Sequence, residues 1–121
     1  MDDSPIEQTV IEWLKTDEHL SDYVIATQMP ENSPDHVIIV EQSNVTMGLV
    51  TADWTISVDV YAPTQYECAL TTSDTVIPRL RDLYKTARVA DCSINASAHY
   101  PHPGSPVRER YTITLQITTG I

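Results

Sequence analysis

Apolar residues recur at Ile6, Val10, Trp13 and Leu14, the i, i+4, i+7, i+8 stripe of an amphipathic helix. Ser4-Pro5-Ile6-Glu7 stands at its start. Ser4 at the N-cap, Pro5 at the first helical position and Glu7 three residues after the cap form a capping box. The pattern predicts a helix over 5–16, with Leu20 and Tyr23 packing in the turn that follows.

The next segments read as strands. Tyr23-Val24-Ile25-Ala26 is short and β-branched. Met29 to Asp35 is rich in residues that break ladders, and predicts a turn. His36 to Glu41 carries the continuous apolar run of a central strand covered on both faces. In Thr51 to Ala62, Trp54, Ile56, Val58 and Val60 alternate with Thr55, Ser57, Asp59 and Tyr61, the period of a half-buried strand. Between these two lies Ser43 to Val50, either the tip of a long hairpin or a loop. Its apolar residues Val45, Met47 and Leu49 either extend the hairpin and pack on a neighbouring strand or form an exposed docking surface.

Ala62-Pro63-Thr64 ends the strand, and Thr64 with Glu67 makes a second capping box. Cys68, Ala69, Val76, Leu80, Leu83 and Tyr84 then form a helical stripe. Pro78 lacks the N–H that a helix interior needs, so a kink or restart is expected near Thr72 to Thr75, with Thr75 a possible cap of the second piece. Two alternating segments close the chain: Cys92, Ile94, Ala96 and Ala98, then Tyr111, Ile113, Leu115 and Ile117. Tyr100 to Pro106 reads as a long turn. The order predicts a single α+β domain over 1–121, a mainly antiparallel sheet with two principal helices on one face, the second kinked near Pro78.

Composition and charge narrow the function. The chain has 121 residues, 41% hydrophobic and 20% charged, as an ordinary globular domain does. No apolar run approaches the ~20 residues of a membrane span, so no membrane partner is expected. The acidic start Met1-Asp2-Asp3 lacks the basic residues that open a signal peptide, an expectation against secretion. Lys and Arg number 7 against 17 Asp and Glu, a formal net charge of −10. Such a surface has few cations to displace phosphate counterions or to hold anionic lipid.

The search for chemistry returns little. His99-x-x-His102 has a ligand-like spacing, but residues three apart on a strand face opposite sides, and further zinc ligands are lacking. Cys92 falls on the apolar side of its strand and reads as an inert thiol. Cys68 stands early in a helix, where the N-terminal dipole could lower its pKa. No P-loop, GxGxxG or GxSxG occurs, and there are only 3 glycines to cradle a phosphate. No catalytic residue, metal or cofactor is expected.

The helix Ile6 to Leu14, the strand Val37-Ile38-Ile39-Val40-Glu41-Gln42, the strand-turn-helix Thr55 to Thr64 and the final strand Arg110 to Thr118 together resemble phage tail terminator proteins. These are the neck or tail-completion proteins of long-tailed phages, and the resemblance covers nearly the whole chain. It implies a structural virion protein at the head–tail junction, assembled in the host cytoplasm. Such proteins form a ring, usually of six subunits, on the end of a finished tail tube. The ring stops tube polymerisation and makes the surface that joins the head. The implied partners are further copies of the chain, the tail tube protein and a head-completion or connector protein, with DNA passing through the lumen without specific binding. The loop between the central strands is long and mobile in that family until assembly. It corresponds here to Ser43–Val50, so Val45, Thr46, Met47, Gly48, Leu49 and Val50 are the interface candidates. Six copies would carry six times −10, about −60, and a lumen lined by carboxylates would repel phosphate. The alternatives are a head-completion or adaptor protein of the same neck, a small acidic inhibitor-type binding module, and a small α+β enzyme.

Overall fold

The computed structural model describes residues 5–32, 34–86, 88–99 and 109–120, with the backbone alone over 96–99. Helix α1 spans Ile6–Lys15 and is followed by a 3-10 turn, Glu18–Leu20. Strands β1 (Val24–Ala26), β2 (Val37–Met47) and β3 (Thr51–Ala62) come next. Helix α2 (Gln65–Thr71) runs through a π-helical turn, Thr72–Val76, into α3 (Ile77–Arg81) and a 3-10 turn, Leu83–Lys85. Strands β4 (Val89–His99) and β5 (Glu109–Gly120) complete the chain. The fold is α+β, as the pattern predicts: one five-stranded sheet in the order β1-β2-β3-β5-β4. Every pairing is antiparallel except β1 with β2.

The helices cover one face of this sheet. Ile6, Val10, Ile11 and Leu14 from α1 meet Ile38 and Val40, Ile56, Val58 and Val60, and Ile113, Leu115 and Ile117, together with Cys68, Val76, Leu80 and Leu83. Of the predicted stripe of α2 and α3, Cys68, Val76, Leu80 and Leu83 are buried, Ala69 is half-buried and Tyr84 is exposed. The start of β2 is covered on both faces, as its unbroken apolar run requires. Ile38 and Val40 face the helices, while Val37 and Ile39 pack with Tyr61 and Met29 on the opposite side. Leu20 is buried and Tyr23 packs against the same core.

The helix ends differ in part from expectation. Pro5 is the N-cap of α1 and not its first helical residue, and it makes no side-chain cap bond. The Ser4 half of the predicted box lies outside the described residues. Thr64 caps α2 as predicted, its hydroxyl accepting the Glu67 N–H at 3.2 Å. Thr75 caps nothing; the backbone stays right-handed helical through Thr71, Thr72, Val76 and Ile77. A proline at 78 removes an i→i−4 donor, and its ring crowds the carbonyl one turn back. The chain meets this by widening: the Ile77 N–H reaches the Thr72 carbonyl, five residues earlier. The buried Thr72 hydroxyl donates to the Cys68 carbonyl at 2.7 Å.

Three register shifts reset the side-chain alternation. In β2 the register jumps between Gln42 and Asn44. In β4 it jumps between Val89 and Asp91 and again between Ile94 and Ala96. Cys92 and Ile94 pair with Ile117 and Leu115 as the alternation predicts. Beyond the bulge, Ala96 pairs with Thr114 and Ala98 with Thr112, so the predicted single apolar row does not run the length of β4. The predicted Tyr100–Pro106 turn lies outside the described residues.

Candidate functional site

Ser43–Val50 is a hairpin tip. Strand β2 continues to Met47, paired with Ala52, and only Gly48, Leu49 and Val50 lie in the turn. The Gly48 N–H donates to the Thr51 carbonyl at 2.7 Å. A Cβ at position 48 would sit 3.2 Å from that same oxygen, so a glycine suits this close approach.

The Ser43 bulge decides where the apolar residues point. Before it, the even-numbered Ile38 and Val40 face the helices. After it, the odd-numbered Val45 and Met47 stand opposite Trp54 and Ala52, on that same face. Trp54 is half-buried against the core and donates its indole N–H to the Thr119 hydroxyl at 2.9 Å. Beyond Trp54, Ala52 is still buried, but the tip itself is open: Met47 is 61% exposed, Val50 73% and Leu49 100%. Of the six candidates, Val45 alone among the apolar ones is half-buried, and Thr46 and Gly48 are exposed. The segment Gln42–Ala52 holds no charged residue in a chain of net charge −10.

The face of the sheet away from the helices is polar. Glu41 pairs with Ser57, Asp59 with Thr112, and Asp91 and Asp53 with Thr118. The Thr118 hydroxyl donates to the Asp53 carboxylate at 2.6 Å. Asp59 keeps one buried carboxylate oxygen without a hydrogen bond. Arg110 is the cation on this face among the described residues; it donates to the Tyr61 hydroxyl at 3.5 Å.

Elsewhere the side chains do structural work. His36 Nε2 lies 2.5 Å from Glu67 Oε1, tying the start of β2 to the first turn of α2. Thus Glu67 gives its backbone N–H to Thr64 and its carboxylate to His36. Tyr23 sets its ring edge-on to His36 and donates to the Thr71 hydroxyl at 3.2 Å. Cys68 is fully buried, its thiol 3.1 Å from the Val60 carbonyl. Burial pushes that thiol up from 9.0 to about 11, the reverse of the lowering expected from a helix N-terminus. Desolvation outweighs a dipole that terminates only one turn away. Cys92 is raised to about 11 for the same reason, burial first and the Asp91 charge second.

Surface grooves occur among the described residues. One of about 490 Å³ lies between Glu7, Gln8, Gln28 and Gln42. Another of about 450 Å³ lies between Asp17, His19, Asp74, Arg79 and Asp82. Neither brings a nucleophile to a base with a third group behind it. Among the described residues no group of three His, Cys, Asp or Glu is placed to hold a metal ion; the His99 side chain and His102 lie outside them. No helix among them is long and apolar enough to cross a membrane.

The patch that the sequence does not single out is on α2. Tyr66 and Leu70 stand one helical turn apart on its outer face, 78% and 45% exposed. Their i, i+4 spacing, offset from the buried Cys68 and Thr72, is the signal that could have found them. Compared with known proteins, the chain matches no family model and no curated sequence.

Proposed function

We propose that this chain is a structural protein of the phage tail terminator kind, which closes a ring on the end of a tail tube. The ring stops further tube subunits from adding and offers a surface to the head-completion or connector protein. The observation that carries the reading is the uncharged hairpin tip, with Met47, Leu49 and Val50 in water at the end of two paired strands. Backbone in a connection stays near water, but three apolar side chains there gain nothing until a partner covers them. Strand pairing holds Met47 in place, and the Gly48–Thr51 hydrogen bond closes the turn that carries Leu49 and Val50, so docking costs little ordering entropy. The polar, acidic open face of the sheet suits a channel through which a polyanion passes without sticking.

The test is Met47→Asp. The residue is 61% exposed, so the isolated protein should melt within about 2 °C of the parent, as surface substitutions do. In a desolvated contact the same unpaired charge costs several kcal/mol, so particles made with the variant should carry overlong tails. Tails of normal length, or a melting point lowered by many degrees, would remove the docking role from the tip.

A further inference from the structure

The two exposed apolar patches lie at opposite ends of one strand. The hairpin tip precedes Thr51, the first residue of β3, and α2 begins three residues after Ala62, the last. Twelve residues at ~3.3 Å each separate them by roughly 40 Å. Tyr66 is in the first turn of α2, and Leu70 is one turn on, so both stay in the half of the molecule far from the tip.

Resting on the ring reading, we infer that the partner of the hairpin tip is a second copy of this chain, and that Met47, Leu49 and Val50 of one copy pack on Tyr66 and Leu70 of the next. Two different patches at opposite poles make a head-to-tail contact, which closes into a ring or runs on as a chain and cannot stop at a symmetric pair. Charge favours this pairing. Two copies of net charge −10 repel wherever their carboxylates meet, and Gln42–Ala52 brings none. The α2 patch is flanked by Glu67, which is engaged by His36. The contact is small, five apolar side chains against the roughly 20–30 residues a side of a standard complex. It is therefore weak between two free subunits and gains from ring closure, where every copy is held at both ends.

The experiment is a mixing test by sedimentation. Leu49→Asp kills the tip and leaves the α2 patch; Tyr66→Asp kills the patch and leaves the tip. Leu49→Lys repeats the first with the opposite charge, so lost apolar contact is separated from added repulsion. Both positions are surface ones, and unchanged melting points of the three variants confirm folding. At about 1 mM chain, where contacts of millimolar Kd are populated, each variant alone should remain at the monomer mass. An equimolar mixture of tip and patch variants should raise the average mass towards twice the monomer as concentration rises, and never beyond it. The parent chain should pass beyond two. A mixture that stays monomeric, or either variant alone that still pairs, overturns the inference. If the mixture stays monomeric while Met47→Asp particles have overlong tails, the tip docks on another protein and the ring reading survives. If the mixture pairs while those tails are normal, the contact between copies stands and the tail reading falls.

Discussion

Trp13 and Arg79 hold each other twice: the Trp13 indole N–H donates to the Arg79 carbonyl at 2.7 Å, and the Arg79 guanidinium lies 3.9 Å over the indole ring. The guanidinium also donates to the Trp13 carbonyl at 3.4 Å and to the Thr16 hydroxyl. Arg79 immediately follows Pro78, so the last turns of α1 are fastened to the helix just past the place where its ladder widens. The clasp adds to the hold that the buried Thr72, Val76 and Leu80 and the half-buried Ile77 have on the segment from the π-helical turn to α3.

Replacing Trp13 by Phe keeps an aromatic body in place but removes the N–H and weakens the cation–π contact. The loss of one hydrogen bond and part of a stacking contact should cost about 1–2 kcal/mol. Urea unfolding of the variant should show a lower midpoint with an unchanged slope. An unchanged midpoint would mean that the clasp contributes nothing to stability.

Much of this fold is legible in the chain, and the parts that are not depend on how the elements pair and pack. Strand β3 is read to the residue, because its alternation is unbroken from Thr51 and Ala62-Pro63-Thr64 stops it. Helix α1 and the Thr64 cap follow from local chemistry in the same way. The hairpin tip stays ambiguous, because Val45 and Met47 are odd-numbered while Ile38 and Val40 are even. Only an extra residue in the strand can put all four on one face. Nothing in Gln42-Ser43-Asn44 announces a bulge, since bulges are fixed by what the partner strand pairs with. The bulge between Ile94 and Ala96 breaks the Cys92–Ala98 row for the same reason.

The second helix fails in a different way. Pro78 shows that something must give, but not how. A restart at Thr75 would satisfy the proline, yet it would turn Val76 and Leu80 away from the core that also holds Cys68. A π-helical turn keeps all three buried, and packing chooses it. Cys68 repeats the lesson in electrostatics. Its place in the helix is visible, whereas the burial that raises its pKa comes from β3 and β5. At the candidate site, apolar residues in a connection are visible in the chain. The Tyr66–Leu70 face emerges only once Cys68 and Thr72 define the buried side of α2.

Thr64→Ala removes the hydroxyl that accepts the Glu67 N–H and should cost about 1 kcal/mol. For a domain of this size, that is a fall of about 4 °C in Tm. Thr64→Ser should recover most of it. A scanning calorimetry trace equal to the parent's for Thr64→Ala would show that the His36–Glu67 contact alone fixes this helix start.

Both thiols titrate higher in the fold than in the open chain, from 9.0 to about 11. A raised acid pKa means that folding favours the protonated thiol. Their contribution to stability is whole below pH 9, declines as pH rises above it, and is lost through about 11. Replacing Cys68 by Ala or Ser should flatten that alkaline loss in urea unfolding series. Alkylation at pH 8 should modify half-buried Cys92 slowly and leave Cys68 untouched until the chain unfolds. Rapid modification of Cys68 in the native protein would contradict its burial.

The open sheet face gives the charge argument a place. Glu41, Asp53, Asp59 and Asp91 stand among Thr and Ser hydroxyls there. Binding a duplex means replacing condensed counterions with protein cations, and among the described residues this face offers Arg110, which is engaged with Tyr61. The parent protein should therefore show no measurable anisotropy change with duplex DNA at ~0.15 M salt, where the Debye length is still about 8 Å. Glu41, Asp91 and Ser93 are exposed, so Lys at all three should leave the fold intact. Two reversals and one new cation move the net charge from −10 to −5, all on one face. The triple variant should bind duplex at low salt and release it as salt rises, with a log–log slope of about −0.9 for each phosphate neutralised. If this face lines a channel, the same variant should slow DNA passage while tails keep their normal length. Tight binding of the parent to duplex at ~0.15 M salt would overturn the argument, because an acidic surface has too few cations to release the counterions such affinity requires.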